Sequence, residues 1–229
     1  MYLSRVRVDL NGLSRDKLFD VMNAEAYTAH QLLWQLFPDY EGRRPFVFRQ
    51  ELEEAEESRG PKGLPLFYVL SDREPVSVAG LLTAESKPYA PELKVGERLA
   101  FRLRANPTMA ISVPGQRGQR ADVLMAAKKP FPPGQRTSQA CVDAMNGKAR
   151  EWLENRAETW GFSLPVTPEL GAYRQHVLNK GSGKPVQFST VDYEGLLEVT
   201  NPGKLVETMA HGIGRAKAFG GGLLLLRRP

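Results

Sequence analysis

The sequence is poor in the residues that hold folds together covalently or through metals. Its 229 residues contain one cysteine, Cys141, and three histidines, His30, His176 and His211. A single thiol excludes an internal disulfide and any multi-cysteine metal centre. The histidines are too scattered for an HExxH-type ligand pair, so neither a structural nor a catalytic zinc is expected, and no cofactor. No apolar run approaches the roughly 20 residues of a membrane span. The opening "MYLSRVRVDL" alternates as a strand does and lacks the apolar stretch of a signal peptide. The expectation is a cytoplasmic protein without membrane association. What is present suits a folded globular chain, 41% hydrophobic and 25% charged. The length allows one large domain or two small ones, each with its own core.

The net charge of +5 hides an asymmetry. Residues 1–97 hold 12 Lys/Arg and 16 Asp/Glu, a net of −4, whereas residues 98–229 hold 19 and 10, a net of +9. Such a basic half suits a polyanion docked on the second part of the chain.

Hydrophobic periodicity gives the order of elements. Tyr2–Asp9 alternates as a strand, and Leu18, Met22, Ala26, Ala29, Leu33 and Phe37 recur at helical spacing until Pro38. "PFVFRQEL", "LPLFYVLS" and "LLTAESKPY" read as strands, with "EPVSVAG" as a weak helical turn between the last two. A Pro/Lys/Gly-rich stretch near 88–96 marks a boundary, predicting domains over 1–92 and 93–229. The order then recurs. "ERLAFRLRANPTMAISV" reads as one long strand, and Thr137 or Ser138 caps a helix carrying Val142, Met145, Ala149, Trp152, Leu153 and Trp160. "LGAYRQHVL" and "KPVQFSTVDYEGLLEVT" form a hairpin across "NKGSG", a helix follows Asn201-Pro202, and "GLLLLRRP" closes as a strand. The economical reading is α+β, two tandem ferredoxin-like (βαββαβ) domains.

Three stretches carry candidate chemistry. In "NAEAYTAHQLLWQLFP", Tyr27 and His30 lie three residues apart, so a phenol and an imidazole can face one site. Histidine exchanges protons near neutral pH; a solvated Tyr/His surface is the alternative. In "GIGRAKAFGGGLLLL", Gly212, Gly214, Gly220, Gly221 and Gly222 interleave with Arg215 and Lys217. Glycine admits a close phosphate backbone and the cations add charge, but no helix follows and no GK[ST] is present, which excludes a P-loop. A helix cap and tight turn would account for one or two of these glycines. The third is the hairpin bearing Arg174, Lys180 and Lys184, which can enter a nucleic-acid groove or remain a solvated tip. Arg102 and Arg104 alternate onto one strand face and enlarge the basic field.

Taken together, "MYLSRV", "HQLLWQLFP", "FRLRANP", "YEGLLEV" and "GIGRAKAFGGGLL" resemble the CasE family, from the first residue to the last. These are CRISPR-associated endoribonucleases that process precursor CRISPR RNA in type I-E Cascade systems. The resemblance implies two ferredoxin-like domains and metal-independent cleavage at the base of a repeat stem-loop. It also implies a protein that stays on its product, the guide RNA, beside other Cascade subunits. It places His30 at the family's catalytic histidine and Tyr27 at its helping tyrosine. Arg174–Lys184 falls at the RNA-gripping hairpin, and the glycine loop at an RNA contact. Gln31 follows the histidine, so no neighbouring cation is assigned to the transition-state charge. Two other readings stay open: a non-catalytic RNA-binding subunit of a CRISPR complex, and a protein-interaction scaffold with no RNA role.

Overall fold

Alternation makes the first residues a strand. In β1 (Tyr2–Val8), Ser4, Val6 and Val8 are buried and the residues between them are not, the period of two of a half-buried strand. The structure, a computed structural model, describes residues 1–9, 26–52, 64–111, 119–178 and 185–228. After β1 come helix α1 (Ala26–Trp34) and strands β2 (Phe46–Leu52), β3 (Pro65–Ser71) and β4 (Leu82–Pro88). The strands form one antiparallel sheet in the order β2-β3-β1-β4. Ala29 and Leu33 of α1 are fully buried with Val6, Phe46, Phe48, Phe67 and Val69 in one core. Leu18 and Met22 of the expected apolar stripe lie outside the described residues. Past Trp34, three-residue bonds from Leu36 N to Leu33 O and from Phe37 N to Trp34 O tighten the last turn. Asp39, at φ 59°, then turns the chain away.

"EPVSVAG" is not helical, contrary to the expectation from sequence. Pro75 disfavours helical geometry at the residue before it. The Val76 N–H bonds the Leu36 carbonyl, and Ser77 Oγ accepts from the Ala84 N–H. Val78 and Leu82 then form an isolated bridge around Gly80.

The predicted long strand is also broken. β5 (Arg98–Ala105) stays in a second antiparallel sheet, whereas β6 (Thr108–Ile111) pairs with β7 (Gln119–Asp122) in a separate two-stranded sheet. Pro107 cannot donate to a ladder, and the Asn106 side chain instead donates to the Ser189 carbonyl at 2.6 Å. Helix α2 (Val123–Lys128) is capped by Asp122, which accepts from the Leu124 and Met125 N–H groups. Ser138 caps α3 (Gln139–Ala157), which buries Cys141, Met145, Ala149, Trp152 and Leu153. Val142 faces outward instead, and Trp160 lies beyond the helix in a 3-10 turn. There follow β8 (Phe162–Ser163), β9 (Glu169–Leu178), β10 (Val186–Val199), α4 (Pro202–His211) and β11 (Leu224–Arg227). The sheet order is β11-β5-β10-β8, with β9 also paired to β10. Both sheets therefore carry the ferredoxin-like order, fourth strand, first, third, second. Among the described residues, no helix is long and apolar enough to cross a membrane.

The chain divides into two units, and the division does not follow chain order. The first is Met1–Glu92 with Ala210–Gly212 and Lys217–Leu223; the second is Leu93–Met209 with Ile213–Ala216 and Leu224–Pro229. The glycine-rich stretch, expected within 93–229, is thus shared. Gly212, Lys217, Gly220 and Gly222 belong to the first unit, and Gly214 and Arg215 to the second.

Leu33 is fully buried in the first unit's core. Leu33→Ala should cost about 2–5 kcal/mol by cavity formation, read from urea unfolding. A loss below about 1 kcal/mol, the size of an ordinary substitution, would show that α1 does not anchor this core.

Candidate active site

Helical spacing sets where His30 points. Ala29 and Leu33 face the core, and His30, one residue on from Ala29, is left half-exposed on the flank of α1. Four residues later on the same face, the Trp34 indole N–H donates to His30 Nε2 at 3.2 Å. Phe46, the first residue of β2, packs against both rings, tilted to one and edge-on to the other. Its centroid is 5.9 Å from that of His30 and 5.7 Å from that of Trp34. Phe37 stacks on Phe46 at 5.2 Å, and Tyr40 stacks on Trp34 at 6.3 Å. The Arg44 guanidinium completes the nest, 5.9 Å from the Phe46 centroid.

These surroundings favour the neutral imidazole. Burial lowers the His30 pKa below its ordinary value, and the Arg44 charge lowers it further. The indole N–H, which bonds only an unprotonated Nε2, acts in the same direction. With Nε2 accepting, the ring's proton sits on Nδ1. A ring neutral at rest is ready to take a proton before it gives one. Tyr27 stands in the first turn of α1, three residues before His30; its side chain lies outside the described residues.

The glycine segment is shaped by its own backbone to a degree the sequence did not reveal. Gly212, Gly214, Gly220 and Gly222 all have positive φ, as does Ala216. Four of the five glycines are therefore accounted for by conformation, more than the one or two a cap and turn would need. Gly212 (φ 73°) ends α4, and a Cβ there would lie 2.8 Å from the Val47 side chain. Lys217 is a strut in this loop. Its ammonium donates to the His211 carbonyl at 2.9 Å and to the Gly212 carbonyl at 3.4 Å, at the C-terminus of α4. Burial, Arg44 and Arg43 all lower its pKa. Arg215 is exposed and bridges to Asn106 through the backbone.

The strand-borne cations divide into two groups. Arg102 faces Glu194 at 3.2 Å and Arg104 grips Asp192 at 2.8 and 3.0 Å, each directly across the β5–β10 ladder. Their charge is largely met within the sheet, so the field expected from "FRLRANP" is weaker than its arginines suggest. Arg174 is exposed on β9. Lys180 and Lys184 lie outside the described residues. His176 stacks on Phe188 at 4.6 Å and shares a 2.9 Å hydrogen bond with Thr190 Oγ1, an arrangement internal to the β9–β10 hairpin. Its pKa is lowered by burial, Arg104 and Arg174. Among the described residues, no three His, Cys, Asp or Glu side chains gather as a metal site requires. Sequence reasoning missed Trp34, Arg44 and Phe46. The one available signal was "RRP", a double arginine held immediately before a strand.

A family model described as "CRISPR associated protein" matches residues 1–228. The chain is 30% identical over 205 residues to the CRISPR-associated endoribonuclease Cse3 of Thermus thermophilus, covering 85% of this chain and 78% of that protein. It is 30% identical over 226 residues to the CRISPR system Cascade subunit CasE of Escherichia coli, covering 99% and 98%. The structure of Cse3 bound to 19 nt RNA superposes with a TM-score of 0.71 at 28% identity, covering 99% of this chain and all of that one.

Two measurements test the nest. Trp34→Phe keeps a ring and removes the N–H, so the His30 pKa should rise, as read by NMR titration of the imidazole; an unchanged or lower value would remove Trp34 from the site. His30 and His176 both have folded pKa values below the ordinary 6.5. The unfolded chain therefore binds protons first as pH falls. Their contribution to stability is present above about 6.5 and is lost as pH drops through the lowered folded values. Urea unfolding at stepped pH should show that decline, and His30→Gln should make it shallower.

Proposed function

The chain belongs to the family of CRISPR-associated proteins, and from that premise we propose that it is an endoribonuclease that cuts precursor CRISPR RNA at a repeat stem-loop. It then remains on the guide RNA as a Cascade subunit, in the cytoplasm. Relatives 30% identical across most of the chain carry the names endoribonuclease and Cascade subunit. The observation that carries the reading is the His30 imidazole, which accepts from the Trp34 indole and packs against Phe46 beside an arginine that lowers its pKa.

The chemistry needs no metal, because the ribose 2′-hydroxyl is already tethered to its target and proximity supplies much of the acceleration. The 2′-oxygen attacks the adjacent phosphorus, and its proton passes to His30 Nε2 once that hydroxyl replaces the Trp34 N–H as partner. The 2′-O–P bond forms and the P–O5′ bond breaks in line. The departing 5′-oxygen takes a proton from the imidazolium or by way of Tyr27. The products are a 2′,3′-cyclic phosphate and a 5′-hydroxyl. Binding of the stem-loop falls to Arg174 on β9, to Lys180 and Lys184 in the sequence between β9 and β10, and to Arg215 and the glycine segment. Arg102 and Arg104 join them only by exchanging a carboxylate for a phosphate. On this reading residues 1–92 carry the cutting histidine and residues 93–229 the RNA-gripping hairpin and glycine segment. A non-catalytic RNA-binding subunit is the rival reading, and the His30 nest weighs against it.

Incubation with a repeat hairpin RNA in excess chelator should yield 5′-hydroxyl and cyclic-phosphate ends, and a 2′-deoxy sugar at the cut should block them. His30→Ala should slow single-turnover cleavage by roughly 10²–10⁴-fold. Wild-type rates for that variant, or a requirement for Mg²⁺, would sink the mechanism. Binding should weaken steeply with salt, each phosphate contact adding about 0.7–0.9 to the log–log slope. Arg174→Ala with Lys180→Ala and Lys184→Ala should flatten it, and an unchanged slope would remove the hairpin from the interface.

A further inference from the structure

Several strand arginines of this chain face a carboxylate. Arg5 and Arg7 share Glu85, Arg98 faces Glu198, Arg102 faces Glu194 and Arg104 faces Asp192. Arg43 and Arg44 depart from that pattern. Among the described residues neither has a carboxylate partner, although they are adjacent and like-charged. The Arg44 Nε is buried with no hydrogen-bond acceptor. A buried N–H left unmet is costly, and two neighbouring cations raise the cost. Burial and the Arg43 charge together lower the Arg44 pKa.

The same two residues line a cleft of about 450 Å³ within the first unit, together with His211 and Lys217. One carboxylate, Asp72, is also on its wall. Lys217 has its ammonium on the carbonyls of His211 and Gly212. Two of its three protons are already on carbonyls, whereas Arg44 keeps a buried Nε–H with no acceptor. The backbone that presents Arg44 is held on both sides. The Tyr40 hydroxyl donates to the Arg43 carbonyl at 2.8 Å, and the Asp72 N–H donates to the Pro45 carbonyl at 3.0 Å. Arg44 and His30 then sit on one ring, each 5.9 Å from the Phe46 centroid.

We propose that Arg44 is the catalytic cation of this site: its guanidinium holds the non-bridging oxygens of the scissile phosphate and neutralises the charge they gain as the 2′-oxygen adds. This rests on the reading of the chain as an RNA-cleaving enzyme acting through His30. A planar guanidinium meets a phosphate through two parallel hydrogen bonds, with a geometry that lysine lacks. A donor fixed before substrate arrives stabilises developing charge without reorganising. Arg43 adds field, and Lys217 keeps the loop folded against the cleft.

The test is single-turnover cleavage of the hairpin RNA by the wild type, Arg44→Gln, Arg44→Lys and His30→Ala, with affinity measured on the 2′-deoxy hairpin. Arg44→Gln should lose on the order of 10²–10³-fold in rate, the effect of one transition-state donor, while affinity changes far less. Arg44→Lys should recover part of the loss. Two readouts separate a catalytic contact from a structural one. Sulfur in place of a non-bridging oxygen at the cut should slow the wild type and slow Arg44→Gln much less. The acidic limb of the pH–rate profile should move to higher pH in Arg44→Gln, because the charge that depresses the His30 pKa is gone. A wild-type rate for Arg44→Gln overturns the proposal while leaving the nuclease reading intact. So does a slow Arg44→Gln whose sulfur penalty and pH limb are those of the wild type. A wild type that does not cut, indistinguishable from His30→Ala, overturns both.

Discussion

Phe46 is the surface on which the site is assembled. His30 and Trp34 approach its ring from α1, Phe37 from the turn after α1, and Arg44 from the segment just before β2. The ring is itself 2% exposed and belongs to the core of the first sheet. Imidazole and guanidinium are therefore both referred to one core ring, although one comes from a helix and the other from an irregular segment. A loop-borne pair would lose that geometry to backbone motion, whereas packed aromatic rings resist displacement because interiors have little free volume. The same low-polarity bed depresses the histidine's pKa, so positioning and proton affinity have one physical source.

Charge is distributed by a second rule, matching within sheets and mismatch at the cleft. On β5 and β10 the register sets Arg98, Arg102 and Arg104 against Glu198, Glu194 and Asp192. Cross-strand pairs of opposite sign are locally favourable, but they consume the positive charge that a net count credits to RNA binding. Around Arg43, Arg44 and Lys217 the reverse holds, since each of the two arginines or both lower the pKa of a neighbouring cation. The +9 of the second part of the chain is thus a poor map of where an anion is wanted. The first part is acidic in sum and yet supplies Arg43 and Arg44 to this cluster of cations.

Much of the fold was legible because its strands alternate and its turns are marked. The β9–β10 hairpin and the strands of the first sheet came from residue pattern alone, and the pattern narrowed the cap of α3 to Thr137 or Ser138. The failures have specific causes. Pro107 divides a run whose alternation is otherwise unbroken, and Pro75 with Ser77 diverts a segment whose composition allows a helical turn. The glycine loop was read as too rich in glycine for backbone reasons, yet positive φ at Gly212, Gly214, Gly220 and Gly222 supplies those reasons. At the site, the spacing of Tyr27 and His30 and a family resemblance pointed to the histidine. Nothing in the linear pattern joined it to Phe46 and Arg44, which are brought in by sheet pairing 14 and more residues downstream.

The glycine segment gains a different role once Lys217 is seen as a strut. Its ammonium caps the carbonyl end of α4 and stands near Arg43 and Arg44, which depress its pKa. A lysine placed only to grip RNA would be expected to project into solvent with its protons free. This one directs two of its three to the chain, and the positive-φ glycines allow the loop to fold tightly enough for it to reach. A cation engaged in this way contributes potential with less hydrogen-bonding capacity to offer. A neighbouring phosphate would be attracted by three positive charges but held by those with donors available, which is how a field can be strong while the contact stays specific.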